Sequence, residues 1–126
     1  MREIQAKQIT ETVKKLCIDA NLYLGEDVLQ AFQKGKEKEE SPVGKEMFDQ
    51  MLENVRIARD EQVAICQDTG LAVVFVELGQ DVHIIGGDFN AAINEGVRQG
   101  YQEGYLRKSA CHPFTRKNTG DNTPAI

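Results

Sequence analysis

Leu71-Ala72-Val73-Val74-Phe75-Val76, then Gly79-Gln80-Asp81, then Val82-His83-Ile84-Ile85-Gly86-Gly87 decide the fold of this chain. The first run is β-branched and aromatic, and the last is a shorter β-branched run closed by two glycines. A turn signal separates them, so they read as successive strands. Just upstream, Val63-Ala64-Ile65 is a third apolar run of strand type.

The flanks carry the helical period instead. The first 62 residues read as helix. Ile9, Val13, Leu16, Cys17, Ala20 and Leu24 recur at three and four residues and share one face, and Gly25 supplies a stop. Val28, Leu29 and Phe32 turn a shorter helix inward. It dissolves into Lys34-Gly35-Lys36-Glu37-Lys38-Glu39-Glu40, which reads as a solvated face or linker, with a docking patch as the alternative. Ser41 before Pro42 is an N-cap with proline at the first helical position. The helix it opens carries Phe48, Met51, Leu52 and Val55 on one stripe, and this spacing puts Met47 and Met51 in the core rather than in an adaptable groove.

Downstream, Asp88 is positioned to cap a helix running to about Tyr105. Gly96, Gly100 and Gly104 form a ridge along it that invites close approach of another backbone. Arg98, Gln99, Gln102 and Glu103 exclude a membrane dimer of the same spacing. From Lys108 onward no periodicity survives. The expected organisation is helical 1–62, strand-turn-strand and helix 63–107, and a polar loop 108–126. The fold class is α+β, with an N-terminal helical layer, a small β-sheet and a glycine-ridged helix packed on it. The turn at Cys66 and the polar tail should converge on one edge.

With 126 residues, one domain is expected. The charge sum of 15 Lys and Arg against 20 Asp and Glu gives −5, which argues against a broad nucleic-acid footprint. The longest fully apolar run, Leu71 to Val76, is too short to span a membrane. The first residues lack the apolar stretch of a signal peptide. Three scattered cysteines, Cys17, Cys66 and Cys111, fit a reduced, cytoplasmic protein better than a disulfide framework. No CxxC or HExxH pattern offers a self-contained zinc site.

Two stretches could carry chemistry. In Ile65-Cys66-Gln67-Asp68-Thr69-Gly70, a cysteine sits on a turn between two apolar runs. It is either a buried structural residue or a thiolate presented to a metal or an electrophile. Leu106-Arg107-Lys108-Ser109 and Arg116-Lys117-Asn118-Thr119-Gly120-Asp121-Asn122-Thr123-Pro124-Ala125 combine basic pairs with a dense polar loop. Arginine's planar fork suits a carboxylate, so an anion site is one reading. An ordered turn bonded to its own backbone is the other.

Taken together, Cys66-Gln67-Asp68-Thr69-Gly70, Gly86-Gly87-Asp88, Leu106-Arg107-Lys108-Ser109 and the Asn118 to Ala125 motif closely resemble the class I fumarate hydratase family, which includes the L(+)-tartrate dehydratase alpha subunit. The resemblance runs the length of the chain, as the first half of what an alpha subunit or N-terminal domain requires. It implies an iron-sulfur hydro-lyase that reversibly adds or removes water on a small dicarboxylate, with fumarate to malate, a tricarboxylic acid cycle step, as the leading substrate pair. It also implies a 4Fe-4S cluster on three thiolates with one iron open to substrate.

By that resemblance Cys66 is a cluster ligand, Gln67 and Asp68 lie beside the open iron and the substrate, and Arg107 clamps a substrate carboxylate. Such a set makes chemical sense, because hydration of a dianion calls for a Lewis acid, a base and orienting cations. No residue of this chain is assigned as the catalytic base. The base and two further cluster cysteines are expected elsewhere, so this chain should be inactive alone. Its expected partners are the remaining half of the alpha subunit and a beta subunit or C-terminal domain, in a homo- or hetero-oligomer, with no nucleic acid and no membrane.

Cys17 is read as core, and His83, alternating with Val82 and Ile84, as facing away from it. Two other readings stand beside the enzyme. One is an interaction or assembly module without a catalytic role, in which the helical half docks a partner chain. The other is a thiol or zinc protein using Cys66, Cys111 and His112.

Overall fold

The computed structural model describes all residues from Met1 to Ile126 and resolves them into two compact units. The first comprises Met1–Asp19 and Cys66–Ile126; the second is Ala20–Ile65. Helices and a small parallel sheet make the chain α+β, as the sequence predicts. No helix is long and apolar enough to cross a membrane.

In the first unit, strand β1 (Arg2–Gln5) pairs in parallel with β2 (Val82–Ile85), Ile4 standing opposite Ile84. The second strand is the one read from Val82-His83-Ile84-Ile85. The first corrects the prediction of helix from the start of the chain. With Ile4 as its one large apolar residue, Arg2-Glu3-Ile4-Gln5 has no strand pattern of its own, and the ladder to β2 imposes the extended form.

Helix α1 (Ala6–Leu22) follows β1, and helix α4 (Phe89–Glu103) follows β2. Asp88 caps α4 as expected, its carboxylate accepting the Ala91 N–H at 2.8 Å. The two helices meet along the predicted glycine ridge. A Cβ at Gly96 would lie 2.7 Å from the Thr10 carbonyl oxygen and 2.7 Å from Val13 Cβ. One at Gly100 would lie 2.8 Å from Cys17 Cβ and 2.9 Å from the Lys14 carbonyl oxygen. Absence of side chains here is therefore what lets α1 approach. Val97 between them is fully buried, and Thr10 Oγ1 donates to the Ala92 carbonyl at 3.0 Å, tying one helix to the other. At the rim, Lys14 pairs with Glu103 at 3.1 Å, which raises the Lys14 pKa. The helix stops at Glu103, so Gly104 is its cap and lies outside its interior.

Val63-Ala64-Ile65 and Leu71–Val76 are not strands, contrary to the reading of their composition. The second stretch does make two ladder-type bonds. Ile126 donates to the Ala72 carbonyl at 2.9 Å and accepts from the Val74 N–H at 2.8 Å. A strand needs a row of such partners, and this stretch has only Ile126. Phe75 in consequence is 93% exposed.

The second unit contains the last residues of α1, helix α2 (Glu26–Lys38) and helix α3 (Pro42–Glu61). Gly25, read as a stop, is the N-cap of α2, and α2 continues through the charged run as far as Lys38, where Lys36 pairs with Asp49. Ser41 caps α3 through the Gly44 N–H, with Pro42 at the first helical position. Phe32 and Phe48 meet at 6.4 Å between ring centres, and Val55 and Ala58 are buried. The inward seam is thus Phe48, Leu52, Val55 and Ala58. Met47 and Met51 lie beside it and are exposed, which corrects their assignment to the core.

Candidate functional site

The Cys66 loop is a turn closed partly on itself. Cys66, Gln67 and Asp68 are exposed. The Cys66 thiol donates to the Asp68 carbonyl at 3.3 Å, and the Asp68 carboxylate accepts from the Gly70 N–H at 3.3 Å. Its anchor is Thr69, the buried residue of the set. Thr69 Oγ1 donates to the Arg107 carbonyl at 2.7 Å, and the Tyr101 hydroxyl of α4 donates to the Thr69 carbonyl at 2.7 Å. The thiol-bearing loop is therefore fastened at a single threonine both to a helix and to the backbone of Arg107.

The tail closes the other side. Asn122 is 1% exposed and sits at φ 63°, a left-handed conformation that asparagine tolerates better than most residues. Its Oδ1 accepts the N–H groups of Ser109 at 2.7 Å and Ala110 at 2.8 Å, while its Nδ2 donates to the Gly70 carbonyl at 3.1 Å. One amide side chain thus satisfies three backbone groups from two loops, a task for which its paired donor and acceptor suit it. Around it, Asn118 Nδ2 donates to the Lys108 carbonyl at 2.8 Å and the Thr119 N–H to the Ala110 carbonyl at 2.9 Å. Thr123 donates its hydroxyl and its N–H to Asp121, which holds that carboxyl below the usual carboxylate range. Burial pushes the Tyr101 phenol up.

The structure brings the Cys66 loop, the backbone of Arg107 and the polar tail together, the convergence expected from the sequence. The Arg107 side chain is exposed and makes no hydrogen bond or ion pair, so its guanidinium is available to an anion. Cys66 is exposed, so of the two meanings weighed for it the buried structural one does not apply. Cys17 is half-buried against Gly100, and burial raises its pKa. His83 is exposed on β2. Cys111 is exposed and lies near the Asn118 amide, while His112 Nδ1 accepts from the Thr115 N–H at 3.3 Å.

No three or more His, Cys, Asp or Glu side chains gather as a metal-holding group, so Cys66, Cys111 and His112 do not assemble one. At this site the chain offers a metal one exposed thiol, that of Cys66, on a turn. The residues that position it, Thr69, Tyr101 and Asn122, were not assigned from the sequence. The signal for Asn122 was present, an asparagine inside a Gly-Asp-Asn-Thr-Pro turn, but its burial was not, because the surrounding residues are polar.

Residues 10–126, which include the whole site, match the family described as Fumarate hydratase (Fumerase). The Methanocaldococcus jannaschii protein assigned as L(+)-tartrate dehydratase subunit alpha is 36% identical over 129 residues, covering 94% of this chain and 44% of its own length. The L(+)-tartrate dehydratase subunit alpha of Escherichia coli K12 is 28% identical over 116 residues, covering 92% of this chain and 38% of its own. The chain spans less than half the length of these curated relatives. With the family matched over nearly every residue and both loops of the site inside the match, the chain belongs to the fumarate hydratase (Fumerase) family.

Proposed function

We propose that this chain is the thiol-bearing part of an iron-sulfur hydro-lyase that reversibly adds or removes water on a small dicarboxylate, fumarate and malate being the leading pair. The observation that carries the reading is the exposed Cys66-Gln67-Asp68 turn, pinned through Thr69 to the backbone of Arg107, in a chain of this family. Cys66 would hold one corner of a 4Fe-4S cluster whose other two thiolates come from the remaining polypeptide. When bound, such a cluster supplies a Lewis acid for a carboxylate or hydroxyl oxygen.

The chain's own residues do the rest of its share. Arg107 grips one carboxylate through two parallel charge-assisted bonds. Gln67 and Asp68 orient the guest from the same loop as the thiolate. Thr69, Tyr101 and Asn122 hold loop and arginine in register, so that the dianion loses little orientation on the way to reaction. The proton is taken by a base on the remaining half of the alpha subunit, the beta subunit or a C-terminal domain. The relatives are named as alpha subunits, which supports a beta-subunit partner and an oligomer. A thiolate-held cluster calls for a reducing compartment, in keeping with the cytoplasm. Tartrate is the second substrate reading, favoured by the names of the same relatives.

The test is turnover of fumarate and of L(+)-tartrate by the chain assembled anaerobically with its remaining polypeptide. Arg107→Ala should raise KM for the processed substrate by about 10- to 100-fold, the worth of a charge-assisted hydrogen bond of roughly 1.5–3 kcal/mol. Arg107→Lys should fall between, because lysine offers a point charge without the fork. Unchanged kinetics in Arg107→Ala would remove its role, and an assembly that turns over neither substrate would remove the reading.

A further inference from the structure

The bonds from Ile126 to the Ala72 carbonyl and the Val74 N–H form the pattern of a parallel strand pair centred on Val73. The next two groups along the same edge, the Val74 carbonyl and the Val76 N–H, have no partner. Beside this edge lies an apolar groove of about 390 Å³, lined among others by Ile4, Val13, Phe75, Val76, Leu78 and Ile84. No charged side chain lines it. Phe75 and Leu78 are 93% and 55% exposed. A second cavity shares Val74, Val76, Phe89 and Ile93 with the groove and has Ala125 and Ile126 on its wall, so the started ladder opens onto the groove. An unpaired edge flanked by exposed apolar surface is a template for an added strand.

We propose that this edge and groove seat an extended apolar segment of the polypeptide by which the tartrate dehydratase alpha subunits exceed this chain, laid parallel to residues 72–78 in register with Ile126. Three observations select that occupant. The chain covers only 44% and 38% of those relatives, so more than half of their polypeptide has no counterpart here. The register begun by Ile126 is parallel, whereas two copies joining the same edge about a two-fold axis would pair antiparallel. The uncharged lining excludes a basic or acidic peptide and requires apolar residues at alternate positions of the added strand.

The probe is the part of the Methanocaldococcus jannaschii subunit outside its matched stretch. It is added to the 126-residue chain as a separate polypeptide and, in a second protein, fused after Ile126. Exchange of the Val76 amide with heavy water should slow at least tenfold in both. Phe75→Asp should weaken capture at least tenfold; because Phe75 is exposed, the variant keeps its fold. Phe114→Asp, at a site 92% exposed and outside the groove, should leave capture unchanged. Unaltered Val76 exchange in both proteins would overturn the proposal. So would capture insensitive to Phe75→Asp, or self-association through the groove that persists in the fusion and marks a second copy as the occupant. The proposal rests on family membership and not on the Cys66 chemistry, so its failure would leave the proposed function standing.

Discussion

Asn122→Ala should lower stability by about 3 kcal/mol, since a buried polar group left without its partner costs roughly 1–3 kcal/mol and two are left at once. The Ser109 and Ala110 N–H groups lose their hydrogen bond, and the Gly70 carbonyl keeps only the longer one from the Tyr101 hydroxyl at 3.4 Å. The sum falls short of two full penalties because Ser109 is only half-buried and water reaches it, whereas Ala110 is buried. Alanine adds about 1 kcal/mol of backbone strain in the left-handed conformation at this position. Asn122→Gly removes that strain and so isolates the side-chain term. Asn122→Asp should fall between, keeping both accepted bonds and losing the donated one. Urea unfolding gives the free energies, and faster exchange at the Ala110 amide shows whether the loss is local to the loops. An Asn122→Ala chain as stable as the wild type would mean that water replaces the amide without cost.

Gly96→Leu should be comparably severe, about 3 kcal/mol or more, since overpacking a close helix contact costs typically 1–3 kcal/mol for smaller insertions. A Cβ alone would stand 2.7 Å from the Thr10 carbonyl oxygen, and backbone cannot rotate aside as a side chain does. Gly96→Ala should be milder, because the gain of about 1 kcal/mol in helix propensity offsets part of the clash. Gly79→Ala provides the control. Its Cβ would meet Val82 Cγ2 at 3.5 Å, an ordinary contact, and thermal unfolding should barely move. If Gly96→Leu melts with Gly79→Ala, α1 and α4 do not pack as described.

The helical punctuation was legible because it is local. Asp88 and Ser41 cap where they are read to cap, and the ridge of Gly96 and Gly100 foretold a backbone neighbour without saying which. That neighbour is α1, whose partnership with α4 brings together residues far apart in sequence. β1 was invisible for the same reason. Nothing in Arg2-Glu3-Ile4-Gln5 announces a strand until Val82–Ile85 lies beside it. The opposite error occurred at Leu71–Val76, where composition promised a strand but only Ile126 pairs with it. Within the site, the thiol, the two polar neighbours and the arginine were named from motifs, and the structure adds what holds them. Thr69, Tyr101 and Asn122 act through backbone hydrogen bonds across loops, and such bonds leave no periodic trace in a sequence.

Whether the Cys66 sulfur holds an inorganic cluster is read directly from iron and acid-labile sulfide in the anaerobically assembled protein, with Cys66 or with Cys66→Ser. Stoichiometric iron and sulfide with broad visible absorbance are expected in the first, and loss of most of both in the second. Equal iron, sulfide and turnover in the two proteins would mean that the Cys66 sulfur is not a cluster ligand.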